Sequence, residues 1–170
     1  GLNELPFIFI EDGLIKMDTP RQHRQMVGIK TMYQKINEMT LDYKNVHDHF
    51  YALIGADVLG EPHLLDLSDP SSPHLLIAGQ TGSGKSVLLS SILTSIMSFY
   101  TSEEVEMVLV DPKRVELTAF RKSPFTKIVA TEVDEAINLL QDLLRTMEDR
   151  YKLFEKEEVK NINEYNNKNP

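Results

Sequence analysis

The 170-residue chain contains no cysteine. That excludes a disulfide framework and a thiolate metal site, and the composition is compatible with a reducing compartment. No apolar run approaches the roughly 18 residues that a membrane helix needs, and no N-terminal stretch is built like a secretory signal. The cytoplasm is the expected location, with any membrane anchor of a longer parent lying outside these residues. Basic residues are few: 18 Lys and Arg stand against 26 Asp and Glu, which leaves a net charge of −8. This balance argues against a free-standing nucleic-acid binder, though not against a local basic surface in an assembly. Hydrophobic content of 41% and charged content of 26% are otherwise ordinary. The length suffices for one domain with a core, or for one domain and a small appendage. The chain begins Gly1-Leu2-Asn3, without Met, and ends on an Asn/Lys-rich tail. Both ends read as cut from something longer, with a processed chain as the alternative.

Several segments have recognisable patterns. Phe7 to Ile10 and Leu14 to Met17 flank Asp12-Gly13, which predicts a hairpin. Thr19-Pro20 reads as a helix start, and Met26, Ile29, Tyr33 and Ile36 recur at helical spacing, so a helix is expected over 21–39. Its polar face carries Arg21, Arg24, Lys30 and Lys35, a solvated face by the plainer reading and a DNA contact by the other. Residues 40–49 read as a polar linker. His47 and His49 lie two apart, but no third metal ligand accompanies them. Val58-Leu59 and His63 to Leu67 flank a turn at Gly60-Glu61-Pro62. Val105 to Val110 reads as a buried strand and 126–130 as another short one. Ile137, Leu140, Leu144, Met147, Tyr151 and Phe154 form an apolar stripe that predicts a helix over 132–157, opened by a capping-box-like start. Residues 161–170 are Asn-rich and expected to fray.

The segment with the most chemistry is Gly79-Gln80-Thr81-Gly82-Ser83-Gly84-Lys85-Ser86, which satisfies G-x-x-x-x-G-K-[ST]. At average residue usage the chance of such a match anywhere in the chain is well under about one in a hundred. An apolar run, His74 to Ala78, precedes it, and Val87 to Leu93 continues at helical spacing. Strand, glycine turn and helix together make a phosphate site. The glycines let the backbone bend and approach a ligand. Successive N–H groups form an anion nest, and the helix start adds its free donors and the positive end of its dipole. Lys85 can reach the β- and γ-phosphates, and the Ser86 hydroxyl can ligate Mg²⁺. Gly79 to Val87 are therefore the candidate nucleotide-binding residues. The plain alternative is a Gly/Ser loop with a surface lysine. Residues 74–78 and 105–110 with the helix between them read as a βαβ unit with parallel strands. Asp111-Pro112-Lys113 ends the second strand, where open α/β sheets bind ligands. Asp111 or Lys113 is then expected to lie within about 10 Å of Lys85 or Ser86, one or two strand spacings away; a strand-ending turn is the alternative.

Pro73 to Gly79, the glycine loop, Val110-Asp111-Pro112-Lys113 with Glu116-Leu117, Met147 to Lys152 and Asn163 to Asn166 together resemble the motor domain of FtsK/SpoIIIE-type DNA translocases. Matching runs cover roughly 54–166 in the family's order. The resemblance implies an α/β fold: a RecA-like P-loop NTPase with a parallel sheet flanked by helices, incomplete at its C-terminus. Residues 54–170 would be the N-terminal portion of that ATPase core, and residues 1–53 a small appendage ahead of it. It implies ATP and Mg²⁺ as cofactors, Lys85, Asp111 and Lys113 as catalytic candidates, a hexameric ring and double-stranded DNA as partner. Two family features are missing from these 170 residues: the apolar strand ending Asp-Glu downstream of Arg150-Tyr151-Lys152, and the C-terminal DNA-reading domain. Arg114 and Arg121 are candidate arginine fingers.

The first expectation is therefore an ATPase motor moving DNA in chromosome segregation, conjugation or mobile-element transfer, weak or inactive as this chain alone. The alternatives are a nucleotide-binding or interaction module without turnover, and a related secretion ATPase.

Overall fold

The computed structural model describes residues 6–18, 27–38, 49–57, 59–69, 71 and 73–169. The N-terminal hairpin is present: β1 (Phe7–Glu11) pairs antiparallel with β2 (Leu14–Asp18). Asp12 and Gly13 close it with φ of 53° and 74°. Two left-handed residues in a two-residue loop match the right-handed twist of the strands.

The next helix, α1, runs Ile29–Glu38, shorter than the span expected over 21–39. The Gly28 carbonyl accepts the N–H groups of Thr31 and Met32 and so begins it. Arg21, Arg24 and Met26 lie outside the described residues. Of the expected basic face, Lys35 is occupied: its ammonium donates to the Gly60 carbonyl at 2.7 Å and to Glu61 at 2.9 Å. The buried side chains Met32 and Ile36 pack with Leu53.

β3 (Tyr51–Ala56) and β4 (Pro62–Asp66) form a second antiparallel hairpin. The strand comes earlier than the Val58-Leu59 expected from sequence. The Asp57 carboxylate accepts the N–H groups of Leu59 and Glu61 at 2.8 and 2.9 Å, which ties the two arms of the hairpin together. The division expected after residue 53 falls inside β3.

At the centre is α2 (Lys85–Phe99). Its sequence is apolar around much of its circumference, which suits a helix covered on two sides. Ile92 and Ile96 pack on Ala52 of β3. Leu93 packs on Met107, Leu109, Leu117 and Val129. These last residues belong to β5 (Met107–Val110), β6 (Thr126–Ala130) and the connection between them, which contains a 3-10 helix at Thr118–Lys122. β5 and β6 are parallel.

The predicted βαβ unit takes a different form. Among the described residues, 74–78 joins no ladder, and the parallel partner of β5 is β6. The run has strand composition, but a strand also needs a neighbour for its backbone groups, and none pairs with it here. Ile77 packs against the α2–β3 cluster, while Leu76 is 90% exposed.

α3 (Val133–Glu157) matches the expected helix within a residue. The Glu135 carboxylate accepts the N–H groups of Thr131 and Glu132 at its start. No residue of α3 is buried, and its stripe of Ile137, Leu140, Leu144, Met147 and Tyr151 is exposed. The Asn-rich tail expected to fray instead forms α4 (Ile162–Lys168). The Asn161 side chain accepts the Glu164 N–H, and Tyr165 meets Phe154 at 6.0 Å between ring centroids. Among the described residues, no helix is long and apolar enough to cross a membrane.

Candidate nucleotide-binding site

The glycine loop leads directly into α2. Gly82 and Gly84 have φ of 82° and 92°, the left-handed region that glycine enters without steric cost. Gly79 is favoured for a different reason. A Cβ there would sit 2.5 Å from the Ser83 Oγ and 3.3 Å from its Cβ, so the Ser83 side chain would have to move aside. The Ser83 N–H donates to the Gln80 carbonyl and completes the turn.

Gly84 holds the N-cap position of α2, and no side chain caps it. The first N–H groups of a helix have no partner within it. Here they open onto an exposed loop at the positive end of a 15-residue helix. Lys85 folds back over the same loop, its Nζ donating to the Gln80 carbonyl at 2.7 Å. Among the described residues its ammonium pairs with no carboxylate. Gln80, Thr81 and Ser83 are exposed, Lys85 and Ser86 half-buried, and Val87 exposed. The result is a concave backbone with positive charge and accessible donors, chemistry suited to a phosphate chain. No group of three or more His, Cys, Asp or Glu that could hold a metal is present among the described residues. A cation here would rely on phosphate oxygens and the Ser86 hydroxyl, the sparse protein ligation that Mg²⁺ accepts.

Asp111 is 5% exposed, and its carboxylate accepts the N–H groups of Leu117 at 2.8 Å and Glu116 at 3.0 Å. The Leu117 N–H, followed by the neighbouring amides, lowers its pKa below the usual carboxylate range, against the upward push of burial. Its own N–H continues the β5–β6 pairing through the Ala130 carbonyl at 2.8 Å. Asp111 thus shapes the 111–117 loop; it accepts no hydrogen bond from Lys85. The loop it folds reaches α2: Val115 and Glu116 line one groove together with Ser86 and Val87. Sequence reasoning gives neither Val115 nor Glu116 a place in the site, although Glu116 belongs to a run that carries the family resemblance. An Asp at a strand end, followed by five non-periodic residues, was the available signal for a side chain capping downstream amides.

Other candidates are placed elsewhere. Lys113 is exposed on the same loop. Arg114, at φ 59°, pairs with Glu132 at the start of α3. Arg121 is exposed in the 3-10 helix. His47 lies outside the described residues, and the His49 ring pairs with Asp66 at 2.6 Å.

The model of the FtsK/SpoIIIE family matches residues 38–170. The chain belongs to the FtsK/SpoIIIE family. The DNA translocase FtsK of Staphylococcus epidermidis strain RP62A is 38% identical over 159 residues, which cover 89% of this chain and 20% of that protein. The DNA translocase FtsK of Clostridium tetani is 36% identical over 160 residues, covering 89% and 21%. That of Rickettsia bellii strain RML369-C is 33% identical over 156 residues, covering 91% and 20%. The chain therefore spans about one fifth of the length of these FtsK relatives. An FtsK/SpoIIIE domain is a P-loop NTPase, which agrees with a glycine loop opening a central helix.

Proposed function

We propose that this chain is the ATP-binding part of a ring-forming motor that moves double-stranded DNA. The fold would be RecA-like and the parent a homo-hexamer. Chromosome segregation, conjugation and mobile-element transfer are the processes such a motor serves. The observation that carries the reading is the closed glycine loop at the uncapped start of α2, in a chain of the FtsK/SpoIIIE family.

Gly79 to Val87 hold the phosphates through backbone N–H groups, and Lys85 places its charge on the β- and γ-phosphates. Ser86 holds Mg²⁺, which when bound neutralises phosphate charge. Catalysis of phosphoryl transfer to water is mostly positioning and charge stabilisation. The 111–117 loop borders the start of α2. From it, Asp111 acts as a positioning residue, and Lys113 is the candidate for added positive charge near the γ-phosphate. Residues 54–170 form the N-terminal portion of the ATPase core, with 1–53 ahead of it. The working location is the cytoplasm.

A second reading is nucleotide binding without turnover by this chain alone. It is favoured by the lack of an apolar run ending Asp-Glu after Lys152 in these 170 residues. The two readings concern different polypeptides and are tested together. In the full-length protein, double-stranded DNA is expected to raise ATP turnover, and Lys85→Ala to abolish it. Turnover indifferent to DNA, or to that substitution, contradicts the motor reading.

A further inference from the structure

α3 is a 25-residue helix in which no residue is buried. Within the fold it meets β6 and α4. Ala136 and Leu139 are half-buried, and Phe154 is partly covered by Tyr165. The rest of its apolar surface is open: Val133, Leu140 and Tyr151 are 67%, 61% and 61% exposed. Their order along the helix is stricter than amphipathicity requires. Val133, Ile137, Leu140, Leu144, Met147 and Tyr151 follow one another at steps of 4, 3, 4, 3 and 4, and Phe154 adds a step of 3. A helix lying on a globular core shows a period near 3.6 and a broad apolar face. Alternating steps of three and four, kept over three heptads, give the narrow seam that fits one other helix. The opposite face carries the ion pairs Asp142–Arg145 and Asp149–Lys152, as a solvated back does.

We propose that this seam pairs with the same seam of a second copy of the chain, as a parallel, in-register two-helix coiled coil. The flanking charges choose both the partner and its direction. With Ile137, Leu144 and Tyr151 at heptad position a, Arg150 falls at g and Glu155 at the next e. Both are exposed, and among the described residues neither is in an ion pair. In a parallel pair, g of one helix meets the following e of the other, so Arg150 faces Glu155 of the second copy, twice by symmetry. The remaining flanks bring no like charges together: Ala136 faces Gln141, and Leu143 faces Glu148. An antiparallel pair that keeps Ile137 against Phe154 sets Asp134 against Glu155, a repulsion made twice. The contact is isologous, distinct from the head-to-tail contacts that build a ring. It stands independently of the nucleotide site.

The test is the mass of the 170-residue chain in solution, by sedimentation equilibrium from micromolar to millimolar concentration. A monomer–dimer equilibrium is expected. Leu144→Glu should raise the dissociation constant at least about tenfold, because each dimer would bury two unpaired carboxylates. Arg150→Glu should also weaken the dimer, and Arg150→Glu with Glu155→Arg should restore it. These side chains are exposed, so circular dichroism should show an unchanged fold. Direction is read by Ile137→Cys under mild oxidation, which is unambiguous in a chain without cysteine. The parallel pair brings the two thiols to one layer and should link the copies. The antiparallel pair leaves them about 25 Å apart at 1.5 Å per residue. A chain that stays monomeric throughout, or a dimer indifferent to Leu144→Glu, overturns the proposal. A dimer that Ile137→Cys does not link, or that the charge swap does not restore, overturns the parallel pairing.

Discussion

Ser95→Ala tests how the helix carrying the glycine loop is held in the fold. Ser95 is fully buried in α2. Its Oγ donates to the Ile92 carbonyl at 2.7 Å and accepts the Leu53 N–H at 3.0 Å. Leu53 sits where the β3–β4 register shifts, between Leu53 and Gly55. The β3 amide that the ladder leaves over is thus met by a helix hydroxyl. Alanine removes the acceptor and leaves a buried donor unpaired, which costs about 1–3 kcal/mol. The loss on the Ile92 side is smaller, because that carbonyl belongs to the helix. At about 2–4 °C per kcal/mol for a chain of this size, a central loss of about 2 kcal/mol lowers Tm by about 4–8 °C. Thr94→Ala is the control. Among the described residues its hydroxyl bonds only to the Ser90 carbonyl of its own helix, and its removal should stay within about 0.5 kcal/mol. Both variants are measured by thermal and urea unfolding followed by circular dichroism. A Ser95→Ala chain as stable as the Thr94→Ala chain would refute the reasoning.

Other outcomes follow from the same geometry. Tyr33→Phe should cost about 0.5–1.5 kcal/mol in urea unfolding, because the Tyr33 hydroxyl donates to the Ser95 carbonyl at 2.9 Å. Gly84→Ala should destabilise the chain by about 1–2 kcal/mol, the left-handed penalty for a residue with a Cβ, since φ there is 92°. Asp111→Asn should flatten the acid limb of stability. The native pKa of Asp111 is depressed by amide hydrogen bonds. Its contribution is therefore complete above the unfolded value of about 3.9 and is lost as pH falls through the lower native value. Urea midpoints between pH 5 and pH 2.5 check this; identical slopes for both proteins would contradict it. ATP turnover by the 170-residue chain should stay at background with or without DNA, as a phosphate-release assay would read.

The glycine loop, α3 and the β1–β2 hairpin are legible in the sequence because each rests on a local rule. The loop needs glycine at defined spacing, α3 has a sustained helical stripe, and Asp12-Gly13 is a turn with a mechanism. Partnership between strands was less legible. The apolar run 74–78 has the composition of a strand, yet whether it pairs depends on what lies beside it, and composition does not say. β3 was missed because Asp57 moves the turn upstream by capping Leu59 and Glu61, a side-chain effect with no periodic signature. For Asp111 the sequence leaves two readings, a charge near the nucleotide and a strand-ending turn. Its carboxylate accepts the Glu116 and Leu117 N–H groups, and the loop it folds reaches α2. Val115 has no signal of its own and Glu116 only its place in the runs that carry the family resemblance; the fold sets both in one groove with Ser86 and Val87.

The central claim is that the loop from Gly79 to Ser86 binds a nucleotide through its phosphates. Calorimetric titration of the chain with Mg·ATP, beside its Lys85→Ala variant, tests it most directly. The account predicts one ATP per chain. Lys85→Ala should weaken binding about ten- to a hundredfold, the equivalent of a charge-assisted contact of roughly 1.5–3 kcal/mol. Circular dichroism should be unchanged, because the only hydrogen bond Lys85 makes among the described residues is to the exposed Gln80 carbonyl. Equal affinity of the two proteins for Mg·ATP, or no binding by either, would contradict the account.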